Sequence, residues 1–495
     1  WATGVVDPAG GLLAPGVGQL VDPLAVALDR PGQPLVLEEL ERRVDRARAR
    51  TPCAAAALVE AGARVTVTDA RPAALADLPP GAEAGGDPDA VPAGTDLVVT
   101  SPGRRPDHPL VAAAAAAGVP LVGEPELAWW LGQGMERPPV WLAVTGTNGK
   151  TTTTGMLAAI LRAAGRDAVA CGNIGYPVVE AVRAGHEVLA VELSSFQLHW
   201  SPSIRPLAGC VLNVAHDHLD WHGSFAAYAA AKARALRAEV AVAGVDDPAA
   251  AALLAESSAP RRVGVTLGEP GPDQLGIVDG VLTDRAFGAG PLAPAAAVHP
   301  AGEPGLLDAL AAAALARAAG VGPDAVRAGL DDFRPGPHRG AVVATVDGVR
   351  YVDDSKATNP HAAAASLAAQ APAPVVWIVG GLLKGASVDE LVARHAGGLR
   401  AAVVIGSDRA EILAALARHA PDLPVAEVVP GDDAPMPTDV MTTAVRRAAA
   451  FARPGDVVLL APAAASMDQF TDYAERGLRF AEAAAALEHA GTGAP

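Results

Sequence analysis

The stretch VTGTNGKTTTTG, residues 144–155, carries residue types whose spacing suits phosphate chemistry. The apolar run Val140–Val144 reads as a buried strand, Gly146 and Gly149 permit a tight turn, and Thr151 to Ala159 reads as the start of a helix. Backbone N–H groups and the helix dipole then meet an anion, Lys150 adds a point charge, and the Thr151 hydroxyl suits Mg2+. Val144 stands where a standard P-loop has its first glycine, so the spacing is a variant. A Gly-Thr turn with a solvated lysine is the plain alternative. The apolar strand before the loop and the threonines after Lys150 argue against it.

Four further stretches carry unusual polar density. VELSSFQLHW places Glu192 at the end of a strand expected beside the phosphate loop, although an acid at a strand end is more often a cap or a surface residue. NVAHDHLDWHG, residues 213–223, packs three His and two Asp into eleven residues after another strand. At the C-terminal edge of a parallel sheet, such a cluster suits a hard metal. YAAAKARAL puts Lys232 on a helix, where a solvated lysine is the default reading. DDSKATN, residues 353–359, follows a strand and leads into a helix with polar groups too varied for a simple cap.

These residues need a scaffold of strands that deliver them to one edge. The runs at 62–72, 95–103 and 118–127 read as strands between Ala-rich helices, and Gly132–Pro139 reads as a break. A second alternating series runs through 188–195, 207–214 and 238–247, followed by a hairpin around Asp279-Gly280 and a long Ala-rich helix, Leu306–Ala319. After the break at 333–340 come a hairpin and three buried strands: PVVWIVGG, AAVVIGSD and DVVLLAPAAAS. The expected fold is α/β with doubly wound parallel sheets in three domains, 1–135, 136–335 and 336–495.

Composition narrows the function classes. A length of 495 residues exceeds one core, and 51% apolar residues allow large ones. A net charge of −17 argues against nucleic-acid or anionic-membrane binding, so a polyanionic substrate must be held by local cations. Cys53, Cys171 and Cys210 show no metal-ligand spacing and suit a reducing cytoplasm. The first 29 residues hold no Lys or Arg, and the longest apolar stretch, Pro109–Gly123, is too short to span a bilayer. The expectation is a cytoplasmic protein with no membrane insertion, working as a monomer.

The motif order GTNGKTT, GNIG, ELSSFQL, N-x-x-x-D-H-x-D, Y-x-x-x-K, HR, DSKATN and A-A-S-x-D-Q-F closely resembles the Mur ligases. The last four resemble the branch that adds D-glutamate. The resemblance runs from about Gly62 to Leu487, and DSKATN is its most specific motif. It implies a Rossmann-like N-terminal UDP-binding domain, a central P-loop-type ATPase domain and a Rossmann-like C-terminal amino-acid-binding domain. The implied reaction joins D-glutamate to UDP-N-acetylmuramoyl-L-alanine, with ATP and Mg2+, through an acyl phosphate, in peptidoglycan precursor synthesis.

Carried onto matching positions, the resemblance implies an ATP site of Gly146, Thr147, Asn148, Gly149, Lys150, Thr151 and Thr152, with Arg339 at the transferring phosphoryl group and Asp354 at the ribose. Thr151 and Glu192 would ligate one Mg2+, and His218 with a carbamylated Lys232 would hold a second. Asn173 and Ser194 would line the same site and orient the muramoyl substrate. Lys356, Thr358, Lys384, Ser466 and Tyr473 would form the D-glutamate pocket, with core filling the alternative for Tyr473. Asp69, Arg71, Ser101 and Gly103 fall where the family binds the uridine and its diphosphate.

Two places depart from the pattern. Pro304, Gly305 and Asp308 replace the His-Asn-x-x-Asn whose asparagines read adenine. In place of a Gly-rich first turn stands ERRVDRARART, with Arg42, Arg43, Arg46, Arg48 and Arg50 and no glycine. Arginine attracts a diphosphate but does not give the close backbone approach of glycine. The first 50 residues are therefore expected not to represent the native first strand, through truncation or a frame error, and to leave UDP binding weak. Other readings stay open: a kinase or motor ATPase, a Mur-type ligase for another amino acid, or a non-catalytic relative with an impaired UDP site.

Overall fold

The computed structural model describes residues 34–38, 46–69, 75–429 and 440–491. Its strands form three sheets of five, nine and six members. By packing, the described residues up to Pro139, with Pro177–Gly185 and His199–Ser203, form one compact unit. Val140–Tyr176, His186–Leu198 and the chain from Ile204 onward form the other, which holds the second and third sheets.

The first sheet contains β1 (Pro34–Glu38), β2 (Arg64–Thr68), β3 (Ala82–Ala84), β4 (Val98–Thr100) and β5 (Leu121–Gly123), in the order β3-β2-β1-β4-β5. All its pairings are parallel. Of the expectation for the N-terminal segment, the part that denied a native first strand is corrected, whereas residues 1–33 and 39–45 lie outside the described residues. PLVLE lies in the middle of the sheet, paired along its length with Arg64–Thr68 and at Val36 and Leu37 with β4. Its five-residue apolar pattern is hidden by the Gly/Pro-rich chain before it. Arg42 and Arg43 lie outside the described residues, and Arg46, Arg48 and Arg50 belong to the helix Arg46–Glu60.

The second sheet runs through β6 (Val140–Thr145), β7 (Ala168–Gly172), β8 (Val188–Glu192), β9 (Ala208–Val211), β10 (Val240–Gly244), β11 (Arg261–Val265), β12 (Gln274–Val278), β13 (Val281–Asp284) and β14 (Gly290–Pro294). Its order is β14-β13-β12-β11-β10-β9-β6-β8-β7. β6 lies between β8 and β9, both parallel to it, so the chain reverses its direction of winding beside β6. Ligands of such sheets bind outside the carboxyl ends at that point. The expected hairpin closes at Val278 and Val281, with positive φ at Asp279 (48°) and Gly280 (73°), the pair of values a two-residue turn needs. The Ala-rich helix extends over Glu303–Ala318, and Ala309 to Ala316 are buried on every side in one core with β9, β10 and the helix Lys150–Ala163. A helix that is apolar all round belongs in such an interior.

The third sheet contains β15 (Ala341–Val346), β16 (Val349–Asp353), β17 (Val375–Gly380), β18 (Leu399–Ile405), β19 (Val425–Glu427) and β20 (Val457–Leu460), ordered β15-β16-β20-β17-β18-β19. Only the β15–β16 hairpin is antiparallel. Buried Val, Leu, Ile and Trp377 on its inner strands pack against helices on both faces. Among the described residues, no helix is long and apolar enough to cross a membrane.

Candidate active site

The phosphate loop leaves β6 after Thr145 and enters the helix Lys150–Ala163 through Gly149, whose φ is 85°. A Cβ there would lie 2.2 Å from Asp308 Oδ1, so sterics and backbone both require glycine. Side chains brace the loop from behind. The Asn148 N–H donates to Asn213 Oδ1 (2.9 Å), and Asn213 Nδ2 returns a bond to the Asn148 carbonyl (3.3 Å). Thr147 Oγ1 pairs with Tyr228 Oη (2.9 Å) and accepts from the Ala215 N–H (2.9 Å). The Asn213 and Tyr228 motifs are thus the supports of the loop.

Two lysines share one carbonyl. Lys150 Nζ donates to Gly146 O (2.8 Å) and Thr147 O (2.9 Å), and Lys232 Nζ donates to Gly146 O (2.7 Å) while lying 4.6 Å from the Tyr228 ring centroid. Lys232 is 2% exposed, so the solvated-lysine reading fails. Burial lowers the pKa of both. For Lys232 the depression is deep, with repulsion from Lys150 adding to burial and Asp217 and Glu192 opposing it.

Glu192 ends β8 and is 2% exposed. Its Oε1 accepts from Asn173 Nδ2 (2.8 Å), while its Oε2 is buried without a hydrogen-bond partner among the described residues. A buried carboxylate oxygen with no donor is costly unless a cation meets it. This orphan oxygen beside a phosphate loop, with a hydroxyl at Thr151, fits a hard divalent cation.

The His/Asp-rich stretch corrects its expectation, because the five side chains do not converge. His216 stacks on Phe225 (4.8 Å between centroids), and His222 Nε2 meets Ser195 Oγ (2.9 Å). His218, at φ 52°, packs on Phe196 (4.7 Å), with its Nε2 3.5 Å from Asp217 Oδ2. Among the described residues, no three His, Cys, Asp or Glu side chains are placed to hold a metal. A left-handed residue followed by the single turn Leu219–His222 fans neighbouring side chains in different directions. Asp217 instead acts electrostatically on Lys150 and Lys232.

Residues of the third sheet meet the loop. Arg339 Nη1 donates to Thr152 Oγ1 (3.4 Å), and Lys356 Nζ reaches Thr151 Oγ1 (3.4 Å) and Tyr473 Oη (3.5 Å). Asn359 Nδ2 donates to Asn148 Oδ1 (3.0 Å), and Asn148 Nδ2 pairs with His361 Nδ1 (2.9 Å). Asp354 accepts the Ser366 hydroxyl, and burial pushes its pKa up to about 6. The Thr358 N–H turns back to the Lys356 carbonyl (2.8 Å). Lys384 takes a left-handed φ of 54° two residues after Leu382, which bridges to Ala465 beside the buried Ser466. Ser194 Oγ accepts from the Gln197 N–H (3.1 Å), at the start of the helix Ser195–His199.

In the first unit, Asp69 follows β2, and Ser101 and Gly103 follow β4, at the carboxyl ends of the two strands flanking β1. The buried hydroxyls of Thr68 and Thr100 at this edge have no hydrogen-bond partner among the described residues. Arg71 lies outside the described residues.

Pro304 and Gly305 sit in the first turn of the Ala-rich helix, where a Cβ on Gly305 would lie 1.8 Å from the Pro300 carbonyl oxygen. Asp308 Oδ1 accepts from Thr153 Oγ1 (3.0 Å) under the loop, and burial pushes its pKa up to about 8, against the pull of Arg339 and Lys150. A carboxyl whose pKa rises on folding favours the folded state below its ordinary value of 3.8, and that advantage is lost as pH rises towards about 8. Asp308→Asn, which keeps the acceptor for Thr153, should therefore melt higher than the parent at pH 8, with the gap closing towards pH 4. Thermal melts across that range check it, and a constant gap counts against the buried acid.

Sequence reading missed Asp217 as the charge facing the lysines, the Asn359–Asn148 link and the buried Arg476. The first two lie inside quoted motifs and could have been found there. Arg476 looks like any helix-surface arginine.

The chain matches the Mur ligase middle domain family over residues 144–276 and the Mur ligase, glutamate ligase domain family over residues 338–464. It is 58% identical over 406 residues to the UDP-N-acetylmuramoylalanine--D-glutamate ligase of Nocardia farcinica, covering 79% of this chain and 84% of that protein. It is 54% identical to the ligase of the same name from Rhodococcus jostii (87% and 92% covered) and 52% identical to that from Mycobacterium bovis (95% and 98%). In fold it is similar to the UDP-N-acetylmuramate-alanine ligase of Thermotoga maritima, at a TM-score of 0.56 and 17% identity, covering 91% of this chain and 98% of that one. A second fold likeness, to a MurF ligase from Thermotoga maritima in complex with ADP, has the same TM-score and identity and covers 94% and 97%. With the phosphate loop, the buried Glu192 and the paired lysines in place, and relatives above 50% identity along most of its length, this chain belongs to the Mur ligase family.

Proposed function

We propose that this chain is the ATP- and Mg2+-dependent ligase that joins D-glutamate to UDP-N-acetylmuramoyl-L-alanine, a cytoplasmic step in peptidoglycan precursor synthesis carried out by a monomer. Residues 1–135 hold the UDP substrate, 136–335 the ATP, and 336–495 the amino acid. The observation that carries the reading is the meeting of Lys356, from DSKATN, with Thr151 of the phosphate loop at 3.4 Å. On this reading the contact sets the amino-acid motif beside the residues proposed to hold the transferred phosphoryl group.

A carboxylate is a poor electrophile. Its oxygen attacks the ATP γ-phosphorus, giving an acyl phosphate and ADP, and the amine of D-glutamate then attacks the acyl carbon and releases phosphate. Lys150 exchanges its loop carbonyls for the β/γ-phosphate oxygens, and Arg339, beside Thr152, meets charge on the transferring group. Asp354 orients the ribose, and Asn173 holds Glu192 while facing the muramoyl substrate. Thr151, Glu192, His218 and a carbamylated Lys232 would hold two Mg2+ ions, which neutralise phosphate charge when bound. Lys232 suits carbamylation because burial disfavours its ammonium form, and the amine form is the one that attacks CO2, with loss of one proton.

ADP release measured with UDP-N-acetylmuramoyl-L-alanine and D-Glu, L-Glu, glycine or meso-diaminopimelate tests the reading. Release dependent on D-Glu supports it, and turnover with another amino acid or with none refutes it. Titrating the UDP substrate separately from ATP reads the first sheet on its own, and loss of the UDP substrate alone would mark an impaired UDP site. Within the pocket, Lys384→Ala should raise the D-glutamate KM far more than the ATP KM, since losing a donor to a buried carboxylate costs on the order of 2–3 kcal/mol. Equal effects on both substrates count against Lys384 as a D-glutamate donor.

A further inference from the structure

Arg476 is 1% exposed although it lies in the helix Tyr473–Gly491. Its guanidinium joins segments far apart in the chain. Nε donates to Ser355 Oγ (3.0 Å), Nη2 to the Ser355 carbonyl (2.9 Å) and Nη1 to the Ala464 carbonyl (3.1 Å). Ser355 Oγ in turn donates to the Tyr473 carbonyl (2.7 Å). One planar cation therefore fixes DSKATN, the loop after β20 and the start of the last helix. These segments carry Lys356, Ser466 and Tyr473.

The surroundings are built for that cation. Asp353 Oδ1 accepts the Ser355 N–H (2.9 Å), and its Oδ2 pairs with His338 Nδ1 (2.6 Å). Gly477, next to Arg476, leaves room for both, since a Cβ there would lie 2.1 Å from His338 Nδ1 and 2.8 Å from Asp353 Oδ2. Burial pulls the guanidinium down to about 9, with Asp468 and Asp353 opposing, so it stays charged at neutral pH. A fork of fixed donors that satisfies two carbonyls and a hydroxyl is a task for Arg, and Lys offers only a point charge.

We propose that Arg476 is a positioning residue for the amino-acid half-site: it sets the spacing of Lys356, Ser466 and Tyr473, and thereby the affinity for D-glutamate, without touching the substrate. This rests on the assignment of those three residues to the D-glutamate pocket. The link through Ser355 couples it to Lys356, the next residue along. ATP is held mainly by the second sheet's loop, and its ribose residue Asp354 has anchors of its own, accepting the Ser366 hydroxyl and donating its N–H to the Leu460 carbonyl (2.9 Å). ATP binding should therefore be far less sensitive to Arg476 than D-glutamate binding.

The test compares the full chain with Arg476→Lys and Ser355→Ala, measuring kcat and the KM values for D-glutamate and ATP, with thermal melts as a control. The expected result is a D-glutamate KM raised at least about tenfold in Arg476→Lys, as for loss of buried charge-assisted bonds, with the ATP KM within about twofold. Ser355→Ala removes one arm of the clasp and leaves no buried cation displaced, so a smaller rise confined to D-glutamate is expected. It decides the matter if Arg476→Lys does not fold. Equal rises for both substrates, or an unchanged D-glutamate KM in Ser355→Ala or in a folded Arg476→Lys, overturns the proposal. Failure of the pocket assignment looks different: the unmodified chain would then release ADP with no dependence on D-glutamate.

Discussion

Lys232→Ala should lower ADP release at least about 100-fold, the upper range for losing even an outer-sphere partner of a metal site, and millimolar acetate should restore part of it. A lysine 2% exposed, donating to the Gly146 carbonyl that also accepts from Lys150, has its ammonium form disfavoured by desolvation and by a second cation. The amine form that this environment favours is the form that adds CO2, and the carbamate supplies an anionic oxygen where the unmodified side chain has none. Alanine leaves space that a short carboxylate can enter, which is why acetate distinguishes a lost ligand from a lost fold. Incorporation of 13C-bicarbonate, read by NMR as a carbamate resonance present in the parent chain and absent from Lys232→Ala, gives an answer independent of turnover. Full activity in Lys232→Ala, or no carbamate signal in the parent, removes this role.

Much of the architecture could be read from the sequence because local and global preferences agree. At the phosphate loop, a β-branched strand, glycines at the turn and threonines at the helix start all point one way, and the helix begins at Lys150. The Asp279-Gly280 hairpin was legible for the same reason, since its turn requires φ > 0 at both residues. The strand Pro34–Glu38 was not, because its neighbours are rich in Gly and Pro and its sheet partners lie tens of residues downstream.

The site was legible in its members and less so in its geometry. Density along the chain at residues 213–223 did not become density in space, because aromatic packing on Phe196 and Phe225 takes all three histidines. Conversely, Arg476 and Asp308 gave no local signal, since their burial is decided by segments more than a hundred residues away. What a pattern of residues states best is which backbone must approach closely. Which polar atom is left buried without a hydrogen bond is a property of the tertiary fold.

That property gives the second large effect, at Glu192. One of its carboxylate oxygens is held by Asn173 and the other is buried with no donor among the described residues. A fold that keeps such an oxygen favours a cation there, and replacing the oxygen removes both the unmet acceptor and the site. Glu192→Gln keeps the acceptor for Asn173 and nearly the same volume. Without Mg2+ the variant should be more stable than the parent by about 1–3 kcal/mol, the usual cost of an unsatisfied buried polar group. Ligand binding stabilises only the state that binds, so added Mg2+ and ATP should raise the melting temperature of the parent well above that of the variant. Turnover should fall about 100-fold or more, since the carboxylate is itself the proposed ligand and not merely its outer partner. Melting curves with and without Mg2+, set beside ADP release, separate the two effects. A Glu192→Gln chain that melts lower than the parent without Mg2+, or that keeps its Mg2+-dependent stabilisation, would show that Glu192 braces Asn173 and does not hold the cation.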